Sequence, residues 1–163
     1  MENSRGEIYR DFFFALRSKN AEKIKWMMSK GGDYFVNSPL PGGCPGAENL
    51  DTPLISCVKM QGCSLEIVRV LIECGANVDT RDARGRTALS HAVDSGNPKL
   101  VKYLVENGSI VDLEDEDKLT PLIRAENGGD LAIIHILKQN EGRGRLDSID
   151  TSFLFSCINK NSE

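Results

Sequence analysis

The sequence predicts an all-α fold: a solenoid of about four stacked helix–turn–helix units joined by extended β-turn fingers, with a partial capping helix at the C-terminal end. Three observations predict it. First, the chain resembles itself at a fixed step. "DTPLISCVKM" begins at Asp51, "RTALSHAVDSG" at Arg86 and "LTPLIRAENGG" at Leu119, so the aligned threonines Thr52, Thr87 and Thr120 are 35 and then 33 residues apart. Second, an apolar segment follows each threonine: "LEIVRVLIECGANVD", "PKLVKYLVENGSIVD" and "LAIIHILKQNEG". Third, turn residues recur at matching places between them. A step of this size marks supersecondary units that bury their apolar faces only against neighbours.

Each element has a local reason. The first unit, about 5–36, covers "DFFFALRSKNAEKIKWMMSKGGDYFVN". Its opening helix, Glu7 to Ser18, mixes Arg10, Asp11 and Arg17 with aromatics, as suits an end unit with water on one side. The segment 36–49, within "VNSPLPGGCPGAEN", lengthens the first finger by nine residues, and its prolines with Gly42, Gly43 and Gly46 make it a loop. It is either drift of a tolerant loop or a projection that meets a partner. In the second unit, about 48–80, Thr52 can cap a helix and Pro53 fills the first helical position, where a missing N–H costs nothing. Its inter-helix turn, "KMQGCS", is two residues longer than that of the next unit.

The third unit, about 83–113, is the most regular. Leu89 and Ala92 share a helix face, Gly96 can end that helix left-handed, and Pro98 can open the next. Leu100, Val101, Leu104 and Val105 form a stripe of helical period that Gly108 stops. The fourth unit, about 116–142, repeats the plan from Thr120 and Pro121. "DTSFLFSCINK" at Asp150 echoes "DTPLISCVKM" and suggests a partial capping unit over 147–160. All of 1–163 thus reads as one domain. That last apolar helix either closes the stack by itself or leads into more of a longer protein.

Composition narrows the function. Hydrophobic residues are 40% and charged residues 27%, ordinary for a globular chain. Net charge −4 argues against a nucleic-acid backbone binder, which needs a basic surface. No apolar run approaches membrane-spanning length, and "MENSRGEIYR" lacks the apolar core of a signal peptide. The five cysteines, Cys44, Cys57, Cys63, Cys74 and Cys157, are odd in number and show no repeated close pair, which fits thiols in a reducing compartment. The triplet Asn107-Gly108-Ser109 matches an N-glycosylation acceptor, a pattern that often arises by chance.

The Thr-Pro-Leu and Thr-Ala-Leu openings, the small residue five positions after each threonine, and the "GANVD" and "GSIVD" closings together make the chain similar to the ankyrin-repeat family. The match is strongest from Leu50 to about Glu141, and weaker at the N-terminus, where Ala15 fills the small-residue slot. The resemblance implies a cupped stack in which fingers and first helices line a concave groove that binds another protein or a peptide segment. The family's variable contact slots fall on Glu48, Asn49, Asp51, Lys59 and Met60, then Ala83, Arg84, Arg86, Asp94 and Ser95, then Glu116, Asp117, Leu119, Asn127 and Gly128. Met60 and Leu119 are the candidate apolar anchors, with charges tuning specificity.

Enzyme-like constellations are weaker. "TALSHAVDSGN" puts Ser90, His91 and Asp94 close in sequence, the residue types of a hydrolase triad. Adjacent helical residues point about 100° apart, so Ser90 and His91 do not face each other as nucleophile and base must. His91 is better read as a packed or groove-lining residue. Cys57, Cys63, Cys74 and His91 lack the close-spaced pairs of a zinc site. Cys57 holds the small-residue slot that Ala92 and Ala125 hold elsewhere, Cys63 falls in the inter-helix turn, and His135 lies within a second helix. "GRGR" at 142–145 has no flanking strand and helix to make a phosphate cradle, and "DLEDEDK" at 112–118 lacks a calcium loop's glycine and terminal glutamate. Its acids face the preceding finger's Arg81, Arg84 and Arg86, as surface ion pairs or as recognition tips.

The expected function is therefore a protein-interaction module or scaffold with no catalysis, cofactor or metal. It is expected to be monomeric, cytoplasmic or nuclear, and without nucleic-acid or membrane partners. The alternative is the regulatory or substrate-recruiting arm of a larger multidomain enzyme or ligase.

Overall fold

A computed structural model describes residues 3–30, 36–39, 51–60 and 62–141. Among them are eight helices in four pairs and no strand: α1 (Asn3–Arg17) with α2 (Ala21–Ser29), α3 (Pro53–Lys59) with α4 (Leu65–Glu73), α5 (Ala88–Asp94) with α6 (Pro98–Glu106), and α7 (Pro121–Gly128) with α8 (Leu131–Lys138). The capping unit expected at 147–160 and most of the loop 36–49 lie outside the described residues.

Each pair packs on itself and on the next. The first helices α1, α3, α5 and α7 follow one another, while α2 packs on α4 and α6 on α8. The small-residue slot explains the close approach: Ala15, Cys57, Ala92 and Ala125 are all buried where the helices meet. Leu54, Ile55, Ile67, Leu71, Leu89, Leu100, Leu104, Ile133 and Leu137 fill the space between pairs. On the outer side, the Arg69 guanidinium stacks 5.6 Å from the Tyr103 ring centroid, tying α4 to α6.

Two of the three threonine caps expected from the sequence form. Thr87 accepts from the Ser90 amide and Thr120 from the Ile123 amide. Asn20, Asn97 and Asp130 cap α2, α6 and α8 in the same way. Thr52 makes no such bond. Its hydroxyl instead meets that of Thr80 at 3.2 Å, so it joins the start of α3 to the following finger.

Candidate functional site

Two finger turns are fully described, and both are built on a buried aspartate. In the first, Asp82 accepts from the Arg84 and Arg86 amides at 2.8 and 2.9 Å through Oδ1. The Gly85 amide closes the turn on the Asp82 carbonyl. In the second, Asp115 Oδ1 accepts from the Asp117 and Leu119 amides at 2.9 and 3.0 Å, and the Lys118 amide closes on the Asp115 carbonyl. Such side-chain-to-backbone bonds hold a tight turn without help from a partner.

The second carboxylate oxygen of each aspartate reaches a first helix. Asp82 Oδ2 lies 2.9 Å from His91 Nε2 on α5, and Asp115 Oδ2 meets the guanidinium of Arg124 on α7, with Nε at 3.1 Å. His91 and Arg124 both stand four residues after their capping threonines. Burial pulls the His91 pKa below its ordinary 6.5 even though Asp82 opposes it, so the ring is neutral at pH 7. With Asp82 ionised, Nε2 carries the proton and donates it. Burial works against ionisation of Asp82 and Asp115 too. The Arg86 amide and the His91 ring at Asp82, and Arg124 and the Leu119 amide at Asp115, nevertheless hold both carboxyls below the usual carboxylate range. In the equivalent place before them stands Ser56, and five residues before Thr52 the sequence has Ala47 in place of an aspartate.

A second layer of pairs links the residues flanking the threonines. Lys59 Nζ lies 2.9 Å from Asp51 Oδ2, and Arg86 Nη1 lies 3.5 Å from Asp94 Oδ2. The two pairs occupy the same slots with opposite polarity, and the next unit puts Leu119 and Asn127 there. Asp94 also accepts from Arg124 at 3.4 Å, which ties α5 to α7. Neighbouring fingers join through backbone. The Glu116 amide donates to the Arg84 carbonyl at 3.1 Å, Arg81 donates to the Glu114 carbonyl at 2.9 Å, and the Ile110 amide donates to Asp79 at 3.0 Å. The finger-to-finger ion pairs expected from the charge pattern are thus replaced. Asp115 turns inward to its own turn and to Arg124, Glu114 pairs with Lys118, and Arg86 is held by Asp82 and Asp94.

The expected contact residues sort by exposure. Ala83, Arg84, Asp94, Ser95, Glu116, Asp117, Asn127 and Gly128 are exposed, while Lys59, Met60, Arg86 and Leu119 are half-buried. Asp51 is fully buried beneath Lys59, and Glu48 and Asn49 lie outside the described residues. Of the residues that shape the face, His91 was expected as packed or groove-lining and is buried against Asp82, whereas Asp82, Asp115 and Arg124 were not among the expected contacts. Their signal was available: an aspartate five residues before Thr87 and again before Thr120. Ser90 is buried and meets Thr87, not His91. Among the described residues no three His, Cys, Asp or Glu side chains gather as a metal site would require, and no helix is long and apolar enough to cross a membrane.

The family model for ankyrin repeats in three copies matches residues 12–115, well over half the chain. The chain belongs to the ankyrin-repeat family. Ankyrin repeats are in general protein-interaction modules, built on the capped first helices and buried small residues described above. Over 48 residues the chain is 44% identical to the apicidin F cluster transcription factor apf2 of Gibberella fujikuroi. That stretch is 29% of this chain and 12% of the fungal protein.

Proposed function

We propose that this ankyrin stack binds a partner protein or peptide across its fingers and first helices, and that it performs no chemistry of its own. The observation that carries the reading is the pair of neighbouring finger tips. Ala83, Arg84, Glu116 and Asp117 are exposed on turns whose backbones are already fixed by Asp82, Asp115 and the Glu116–Arg84 bond. A preordered surface loses little conformational freedom on association. The pairs behind the tips neutralise each other, leaving Arg84 on one side and Glu116 and Asp117 on the other to select a partner segment of mixed charge. Met60 and Leu119 supply half-buried apolar contacts, with Lys59, Arg86, Asp94, Ser95, Asn127 and Gly128 around them. Asp51 acts from beneath by holding Lys59. Glu48 and Asn49, outside the described residues, belong to the proposed contact set by their place in the repeat pattern. The protein works as a monomer in the cytoplasm or nucleus and needs no cofactor.

The test is affinity capture from lysate with mass spectrometry, comparing the native chain with Arg84→Glu and with Glu116→Lys, Asp117→Lys. Both variants change only exposed tips, so circular dichroism should be unaltered. A partner retained by the native chain and lost by either variant supports the reading. Equal capture by all three sinks it. A second reading, in which this unit is the recruiting arm of a larger protein, draws on the fungal relative, where the matched stretch is a small part of a longer chain. Sequencing the transcript on both sides of this reading frame decides it.

A further inference from the structure

Between the turn joining α1 to α2 and the turn joining α3 to α4 lies a cleft of about 620 Å³, lined by Leu16, Lys19, Cys57, Met60, Cys63 and Ile67. Two thiols meet on its wall. Cys57 Sγ, on α3, is 3.4 Å from Cys63 Sγ, in the longer "KMQGCS" turn. Cys57 is buried and Cys63 partly open to the cleft. Lys19 reaches the same place from the first unit, its Nζ lying against Gly62 (3.2 Å from where a Cβ there would stand).

We propose that Cys57 and Cys63 form a peroxide-sensitive dithiol, in which Cys63 reacts first and Cys57 closes a reversible disulfide. The chemistry balances with hydrogen peroxide as the only oxidant. The Cys63 thiolate attacks one peroxide oxygen, the O–O bond breaks, and hydroxide leaves, giving a sulfenic acid. The Cys57 sulfur then attacks the Cys63 sulfur, the S–O bond breaks, and the hydroxyl leaves with the Cys57 proton as water. One S–S bond has formed and each thiol has lost one hydrogen. An external dithiol reverses the change by thiol–disulfide exchange.

The surroundings assign the two roles. A hydrogen bond from Cys57 draws the Cys63 pKa below the ordinary thiol range against the effect of burial, and the Lys19 charge adds to it. The same hydrogen bond raises Cys57, as do burial and the charge on Cys63. Of the two, the sulfur that faces the cleft therefore ionises more readily, and the buried one keeps its proton. Lys19 is the cation that favours an anion there, while Lys59, which also lines the cleft, is held by Asp51. A sulfur–sulfur distance of 3.4 Å must shrink to about 2.05 Å for bonding. Cys63 belongs to an irregular turn outside both helices, where such a shift disturbs no helical hydrogen bond.

The inference does not depend on the partner-binding reading. Its test uses the full reduced chain, treated with an equimolar dose of hydrogen peroxide and digested with trypsin without reduction. Cleavage after Lys30, Lys59 and Arg69 puts Cys63 on peptide 60–69 and Cys57 on peptide 31–59 together with Cys44. A disulfide between them therefore appears as two linked peptides, whose fragment ions, and survival of the link in Cys44→Ala, assign the bond to Cys57. The expected product is that linked pair, two hydrogens lighter than its parts and abolished by dithiothreitol. In Cys57→Ala, which adopts the residue of the equivalent slots in the other units, the same dose should leave a dimedone-trappable sulfenic acid on Cys63. Lys19→Gln, folded by circular dichroism, should slow the Cys63 reaction severalfold. Both thiols remaining alkylatable after peroxide would overturn the proposal. So would preferential linkage of either one to Cys44, Cys74 or Cys157, or a first dimedone adduct on Cys57.

Discussion

The finger that ends at Thr87 and the one that ends at Thr120 make the same turn with different parts. Each hangs two backbone amides on one buried aspartate and anchors that aspartate to the first helix behind it. The earlier finger uses neutral His91 as anchor and Gly85 at the left-handed position, φ +71°. The later one uses the permanent cation Arg124, with Lys118 left-handed at φ +61°. Turn geometry thus belongs to the repeat, whereas anchor chemistry belongs to the individual unit. The choice of anchor decides how each finger responds to mutation and to pH.

The aspartates themselves should show the largest effect. Asp115→Ala leaves two amides without their acceptor and strands Arg124 with only the longer contact to Asp94. Breaking a buried charge pair in this way costs about 3 kcal/mol. Asp82→Ala removes the same amide bonds but leaves a neutral ring, so about 2 kcal/mol is expected. Urea titration of both variants tests the order, and an equal loss would mean that the anchor's charge contributes nothing. Next comes Gly85→Ala. A Cβ at Gly85 would sit 3.4 Å from the Glu116 amide nitrogen, in a conformation that L residues resist. The strain costs about 1–2 kcal/mol and pushes on the bond that holds the two fingers together. Lys118→Ala, at the same place in the other turn, should be nearly neutral because the strain is already present.

Acid should separate the fingers next. The folded-state pKa of His91 is below its ordinary 6.5, so the unfolded chain binds the proton more readily. Stability from this site is complete above the ordinary value and is lost as pH falls from there toward the lowered one. The Asp115–Arg124 anchor does not titrate in that window. Its contribution is lost only as pH falls below the ordinary carboxylate value of 3.8, as is that of Asp82. Arg86 and Lys59, the other charges acting on His91, also disfavour its protonation and reinforce the trend. Urea midpoints measured between about pH 7 and about pH 5 should fall for the native chain and flatten in His91→Gln, which can still bond Asp82. An unchanged slope in the variant would place the acid sensitivity elsewhere.

Much of the fold was legible because a repeat is nearly one-dimensional. Threonine caps, Pro53, Pro98 and Pro121, and the small slots at Ala92 and Ala125 are local rules that recur, so each occurrence reinforces the others. Thr52 departed because its bond partner, Thr80, comes from the next finger. The surface was legible less evenly. In "DLEDEDK" all the acids look alike, and nothing in the letters marks Asp115 as the one turned inward. Aligning Asp82 with Asp115, five residues before their threonines, would have separated them from the solvated acids. The Cys57–Cys63 contact had no such signal. It depends on the two extra residues of one irregular turn and on Lys19 from another unit, and repeat alignment discards both.

A small predicted gain sharpens the comparison from the opposite side. Lys118 is one of two non-glycine residues with positive φ among those described, and it holds the place that Gly85 holds one unit earlier. A left-handed L residue costs about 1 kcal/mol. Lys118→Gly removes that cost but gives the unfolded chain more freedom, which takes back about half. The ion pair it loses, to Glu114 at 3.9 Å, is exposed on both sides and weighs little. A net gain of about 0.5 kcal/mol is expected, read as a small rise in the urea midpoint at unchanged slope. Because Gly85→Ala and Lys118→Gly exchange residue types at equivalent positions, their effects should have opposite signs. A loss of stability in Lys118→Gly would mean that the lysine side chain stabilises its finger in a way the glycine turn does not need, and the two turns would no longer be one design with different anchors.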